Sequence, residues 1–165
     1  MQRFLRLSAL LILTFAFGLL TGRAAEPVSI KQVEFKGDVK PGSNFVAVVT
    51  VAVEKGTYLN PNRVSSPQMV RTDLQVAQLP AIRALPAAFS SGAPKTLPGV
   101  KEPVLVYEES FTVNVPLMLH PNAVLPLTVP AALTYQATQG AVRKPAAQLR
   151  FNLIVPKSTN APPAK

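Results

Sequence analysis

Leu125-Pro126-Leu127-Thr128-Val129-Pro130-Ala131-Ala132-Leu133-Thr134-Tyr135 decides the fold. Every second residue from Leu125 to Tyr135 is apolar, without a gap. In a β-strand alternate side chains share one face, so this pattern predicts a strand with one buried side. Pro126 and Pro130 fall on the other face. Proline cannot donate to a ladder, which predicts an edge strand or one broken in two. The stretch runs on as Gln136-Ala137-Thr138-Gln139-Gly140-Ala141-Val142-Arg143-Lys144-Pro145. Gln139-Gly140 reads as a turn, with a new strand from Gln148 to Val155. Residues 134–145 then form a strand end and loop at the rim of a β-structure, where sites tend to sit.

Upstream, Ser110–Leu119 alternates in the same way, with Phe111, Val113, Val115, Leu117 and Leu119 on one face. Ser43–Lys55 is a near-continuous valine-rich run, which predicts a central strand buried on both faces. Glu26–Lys36 reads as a first strand. Val28 and Ile30 are out of phase with Val33 and Phe35, and a bulge near Lys31-Gln32 would reconcile them. Gly37-Asp38, Pro41-Gly42 and His120-Pro121-Asn122 are turn signals. Gly56–Asn62 reads as a loop, because Asn and Pro favour tight turns. Thr72–Leu79 and Val104–Tyr107 are short strand candidates, and residues 80–103, rich in Pro, Ala, Gly and Ser, read as one long loop. No helical period appears outside the N-terminal leader. Six or seven short strands separated by turns predict an all-β, immunoglobulin-like antiparallel β-sandwich, with a closed barrel as the alternative. The expected core includes Phe45, Val49, Val51, Phe111, Val113, Val115, Leu133, Phe151 and Leu153.

The 165 residues suit one domain. Residues 1–24 read as a secretory signal: Arg3 and Arg6 precede an apolar run from Leu7 to Leu20, and Gly22 and Ala24 suit cleavage before Ala25. An uncleaved anchor is the alternative. Residues 25–156 form the expected domain, and residues 157–165 a polar, proline-rich, disordered tail. Three of the 17 basic residues lie in the leader, leaving 14 against 8 acids, a net charge of +6. These charges are scattered and form no aromatic-interleaved stripe, which argues against nucleic acid. A modestly positive surface suits an acidic partner or anionic lipid. No second long apolar stretch follows the leader, so no membrane span is expected after its cleavage. The chain has no cysteine. Exported proteins often use disulfides as staples, so the core alone must hold this one.

Catalytic chemistry finds little support. The single histidine, His120, sits in a turn signal, and no nucleophile and acid are placed beside it as a triad needs. Met118 and His120 share a strand face but make too small a set for a metal site. Glu108 and Glu109 are adjacent and point to opposite faces. No enzyme activity, metal or cofactor is expected.

Four segments resemble the periplasmic N-terminal domain of the thiol:disulfide interchange protein DsbD. Gly56-Thr57-Tyr58-Leu59-Asn60-Pro61-Asn62 is similar to that family's G-x-H-I-N-x-N loop, and Arg71-Thr72-Asp73-Leu74 to its P-T-x-L. Val106-Tyr107-Glu108 is similar to V-Y-E, and Tyr135 through Pro145 to Y-Q-A-C-x4-C-x-P. The resemblance spans about residues 28–156. It implies an immunoglobulin-like fold and export. It also places Thr138 and Arg143 where the family has its two redox cysteines, with Tyr58 in place of a common histidine and Arg71 in place of proline. Neither a hydroxyl nor a guanidinium can attack a disulfide as a thiolate does, so the family's redox exchange does not carry over. The expectation is a redox-inactive periplasmic protein-binding module. Its candidate rim is Tyr58, Asn60, Asn62, Tyr135 and Gln136, beside Thr138 and Arg143. The alternatives are an accessory that docks a cysteine-bearing, thioredoxin-like partner of a thiol–disulfide or electron-transfer system, and a purely structural envelope protein.

Overall fold

Eleven strands and no helix make up the described residues, 26–64, 69–97 and 102–157, of the computed structural model. The expected leader and most of the expected tail lie outside them. No helix there is long and apolar enough to cross a membrane.

The first sheet is built on β1 (Val28–Lys36), β2 (Asn44–Val53) and β9 (Ser110–Leu119). Its order is β1-β2-β9-β5, with β5 (Ile82–Ala84) and β6 (Ala88–Phe89) both pairing along β9. The second sheet runs β11-β10-β3, with β4 (Asp73–Val76) pairing farther along β10 (Leu127–Gln139). Here β3 is Thr57–Leu59 and β11 is Val142–Val155. A separate hairpin joins β7 (Ala93–Lys95) and β8 (Val104–Val106). Taking β3 with β4 and β5 with β6 as split strands, the chain follows the seven-strand immunoglobulin plan: first, second, fifth and fourth strands in one sheet, third, sixth and seventh in the other.

The core lies between the sheets. From β2, Val49 and Val51 are fully buried, and from β9 Val113 and Phe111 pair with them, with Val115 buried opposite Ala47. From the second sheet, Val129, Leu133 and Leu153 close the layer. Tyr107 is sandwiched by aromatic rings, stacked on Phe111 at 4.2 Å between centroids and on Phe89 at 6.4 Å. Of the expected core residues, all but Phe151 are fully buried; Phe151, on an edge strand, is packed against the core but half-exposed. The predicted bulge in β1 is present, with the register shifting between Ile30 and Gln32.

Five sequence expectations need correction. First, β10 is neither an edge nor broken: it is a continuous central strand. Pro126 precedes it. Pro130 is accommodated because the N–H and C=O of a strand residue point to the same side, and its carbonyl accepts from the Ala77 amide at 2.9 Å. Its missing donor therefore faces the point where β4 ends. Second, β11 starts at Val142, six residues earlier than expected, which turns the supposed rim loop into a hairpin around Gly140-Ala141. Gly140, at φ 57°, supplies the positive dihedral that a two-residue turn of this kind needs at its first position. Third, residues 57–59 form a strand instead of a loop, paired to β10. Fourth, residues 80–103 contain β5, β6 and β7. Fifth, β2 is central but buried on one face only; Val46, Val48, Thr50 and Ala52 are half-exposed.

Candidate functional site

Thr138 and Arg143 face each other across the β10–β11 ladder. Directly opposed residues in an antiparallel pair have Cα atoms about 4.5–5.5 Å apart. On its other side, Thr138 pairs with Tyr58 of β3. Three strands thus align Tyr58, Thr138 and Arg143 in one row at the end of the second sheet. The row exists because the Gly140-Ala141 turn folds the chain back and because β11 takes up one extra residue. Gln136 pairs with Ala146 and Thr138 with Arg143, so Lys144 and Pro145 together oppose Ala137. Pro145, which has no N–H to offer a ladder, falls in this bulge.

A polar network flanks the row on the same face, and Asn60 also lines the cavities described below. Asn60, 4% exposed, donates through Nδ2 to the Val70 carbonyl at 2.9 Å and to Gln136 Oε1 at 3.3 Å. The Val70 amide also donates to Gln136 Oε1, at 3.4 Å, while Gln136 Nε2 donates to the Lys144 carbonyl in the bulge at 3.2 Å. Thr72 Oγ1 donates to the Asn60 carbonyl at 2.5 Å. Asn60 and Gln136 therefore tie the 60–72 segment to the β10–β11 hairpin. Their partners lie up to 76 residues apart in sequence.

Of the candidate rim residues, Tyr135 points into the core and is 3% exposed. Burial, with Glu26 nearby, holds its phenol above the ordinary tyrosine value. Asn62 accepts from the Tyr107 hydroxyl at 3.2 Å, and burial likewise raises the pKa of that phenol. Tyr58 is largely buried, and its ring lies under Lys95 of β7, whose ammonium stands 5.5 Å from the ring centroid and pairs with Glu108. The hairpin carrying Lys95 is joined to β3 by reciprocal backbone bonds between Leu59 and Tyr107, at 2.9 and 3.0 Å. The motif residues are thus brought together as one structural unit, but only part of it meets solvent.

That part is a cavity of about 330 Å³ between Tyr58, Met69, Leu97, Thr138, Ala141 and Arg143. A second cavity of about 410 Å³ continues past Tyr58 to Pro61, Arg63, Glu102 and the β8 residues Val104–Val106, so it carries one charge of each sign. Met69, Leu97 and Arg63 carry no motif. They come to the site only through the fold. Among the described residues, no group of three or more His, Asp or Glu side chains could hold a metal ion. His120, Met118 and Glu109 lie away from both cavities.

The class defined here is a cysteine-free, immunoglobulin-like sandwich with a groove of mixed polar and apolar lining, edged by Arg143, at one sheet end. No family model and no curated protein matches the sequence. Among solved structures, the chain is similar to the DsbD N-terminal domain from Neisseria meningitidis in its reduced form. Identity is 16%, over 76% of this chain and 88% of that one, with a TM-score of 0.45. It is also similar, at 17% identity, to a chain in the complex between the DsbD N-terminal and PilB N-terminal domains of the same organism. That match covers 78% of this chain and 85% of the other, with a TM-score of 0.44.

Proposed function

We propose that this protein is an exported, redox-inactive binding module that docks a periplasmic protein at the groove between Tyr58, Thr138 and Arg143. The supporting observation is the pairing of Thr138 with Arg143 beside Tyr58. The two positions have the cross-strand geometry that a cysteine pair would use, with Thr138 buried at 8% exposure and the Arg143 guanidinium exposed. Thiol–disulfide exchange needs a thiolate, and the chain holds no cysteine. What this groove offers a partner is apolar area from Met69 and Leu97 around the edge of the largely buried Tyr58, with Asn60 within it and Arg143 at its rim. Such a surface suits an apolar side chain flanked by acids.

Arg143 is exposed, and exposed substitutions usually change stability by within about 0.5 kcal/mol. Arg143→Glu is therefore expected to leave the melting temperature nearly unchanged while removing the proteins captured from periplasmic extract. The bait is the protein recovered from the periplasm, with its N-terminus expected at Ala25. Equal capture by both forms would sink the docking reading and leave the groove a structural remnant. Captured partners that carry a redox-active cysteine pair would specify the role further, as an accessory of a thiol–disulfide system.

A further inference from the structure

A second surface lies along the outer edge of β11. This strand is 14 residues long and ends the order β11-β10-β3. The direction of its backbone groups follows from Pro130. Its carbonyl accepts from Ala77 on the β4 side, so Ala131 and Leu133 point their amides and carbonyls to β11. Their partners Phe151 and Leu149 point back. The residues between, Gln148, Arg150 and Asn152, and by the same alternation Ala146 and Ile154, direct both backbone groups outward. None of the five has a backbone partner among the described residues. All five side chains are exposed. β1 of the other sheet passes nearby but pairs with β2.

Edges are commonly blunted by bulges, prolines and charges. The opposite sheet ends in β1, which has its bulge in mid-strand and carries both signs of charge, Lys31 and Glu34 among them. On β11 the bulge and Pro145 lie outside the run 146–154, which is left straight and open. The one charged side chain of this run is Arg150, and no acid lies anywhere in the strand. A second copy of this edge, paired antiparallel about its midpoint at residue 150, would set Arg150 against Arg150. An acidic strand would instead set the Cβ of a Glu or Asp about 4.5–5.5 Å from that of Arg150, with Gln148 and Asn152 as uncharged neighbours on the same face.

We propose that β11 accepts an extended, acidic segment of a partner protein as an added strand, hydrogen-bonded to the outward groups of residues 146–154. Main-chain bonds hold such a segment, and its alternate side chains confer the selectivity. This surface is separate from the Tyr58 groove and does not depend on it.

The test uses a ten-residue synthetic peptide alternating Val or Thr with Glu, added to the isotopically labelled protein. The expected result is shifted resonances and slowed hydrogen exchange at the amides of Ala146, Gln148, Arg150, Asn152 and Ile154. N-methylation of alternate peptide residues, or Lys in place of Glu, should weaken binding at least tenfold. Two protein variants should do the same: Arg150→Glu, and Asn152→Pro, which removes an outward donor while leaving the β10 ladder intact. Arg150→Glu keeps the test open should Asn152→Pro fail to fold. Overturning results are no perturbation at millimolar peptide, binding indifferent to N-methylation, or shifts confined to the Tyr58 groove. Concentration-dependent dimers protecting the same five amides would also overturn it, by assigning the edge to a second copy.

Discussion

Phe111→Ala is expected to cost about 3–5 kcal/mol, the range for deleting a buried aromatic ring. Phe111 is 4% exposed, lies opposite Val51 across the β2–β9 ladder and stacks on Tyr107. Removing it takes away one end of the aromatic stack and leaves Tyr107 without its nearest ring. The loss is a large share of the total, since whole domains are stable by only about 5–15 kcal/mol. Chemical denaturation should show the midpoint moving sharply down with little change in slope. Phe151→Ala should cost less, since that ring is only half-buried on the edge strand. Equal and small losses in the two variants would contradict the placement of the core.

The second large effect comes from Thr138→Cys with Arg143→Cys. The two positions are direct cross-strand partners, so their Cα separation of about 4.5–5.5 Å falls inside the roughly 4.4–6.8 Å that a disulfide spans. The bridge should close completely under mild oxidation. A loop this short gains about 2 kcal/mol of stability in the chain-entropy account, read as a higher melting temperature in the oxidised form than in the reduced one. Thiol titration checks the first point and calorimetry the second. Two free thiols persisting in the folded protein would mean that the register of the hairpin is wrong.

Much of this architecture is legible in the sequence because β9 and β10 alternate over ten or more residues, long enough for period two to stand out. The bulge in β1 is legible for the same reason: a phase change in the apolar pattern has few other causes. Strands β5, β6 and β7 are two or three residues long, too short to show any period, and their Pro- and Ala-rich setting reads as loop. The start of β11 is hidden because residues 142–148 are exposed on both faces. Backbone pairing alone, without burial, makes them a strand. The central position of β10 is hidden behind Pro130, whose lost donor is harmless only because β4 stops beside it.

At the site, the facing of Thr138 and Arg143 is anticipated by their motif and by the turn glycine between them. The roles of Asn60 and Gln136 are not. Both sit in candidate rim segments, yet their side chains are spent on each other, on Val70 and on Lys144. Tyr135 likewise belongs to the buried alternation that continues from Leu133, so its phenol is a core group. Met69, Leu97 and Arg63 line the groove from segments with no distinguishing pattern, and only tertiary structure brings them there.

The central claim, that a partner docks at the Tyr58–Thr138–Arg143 groove, is tested most directly by site-specific photo-cross-linking in the periplasm. A photoreactive residue at Ala141, exposed on the hairpin turn and lining the groove, is compared with one at Ser29, exposed on β1 of the other sheet. The account predicts a discrete cross-linked protein from position 141 that disappears when Arg143→Glu is added, and none from position 29. No cross-link from position 141, or the same products from both positions regardless of Arg143, would contradict it.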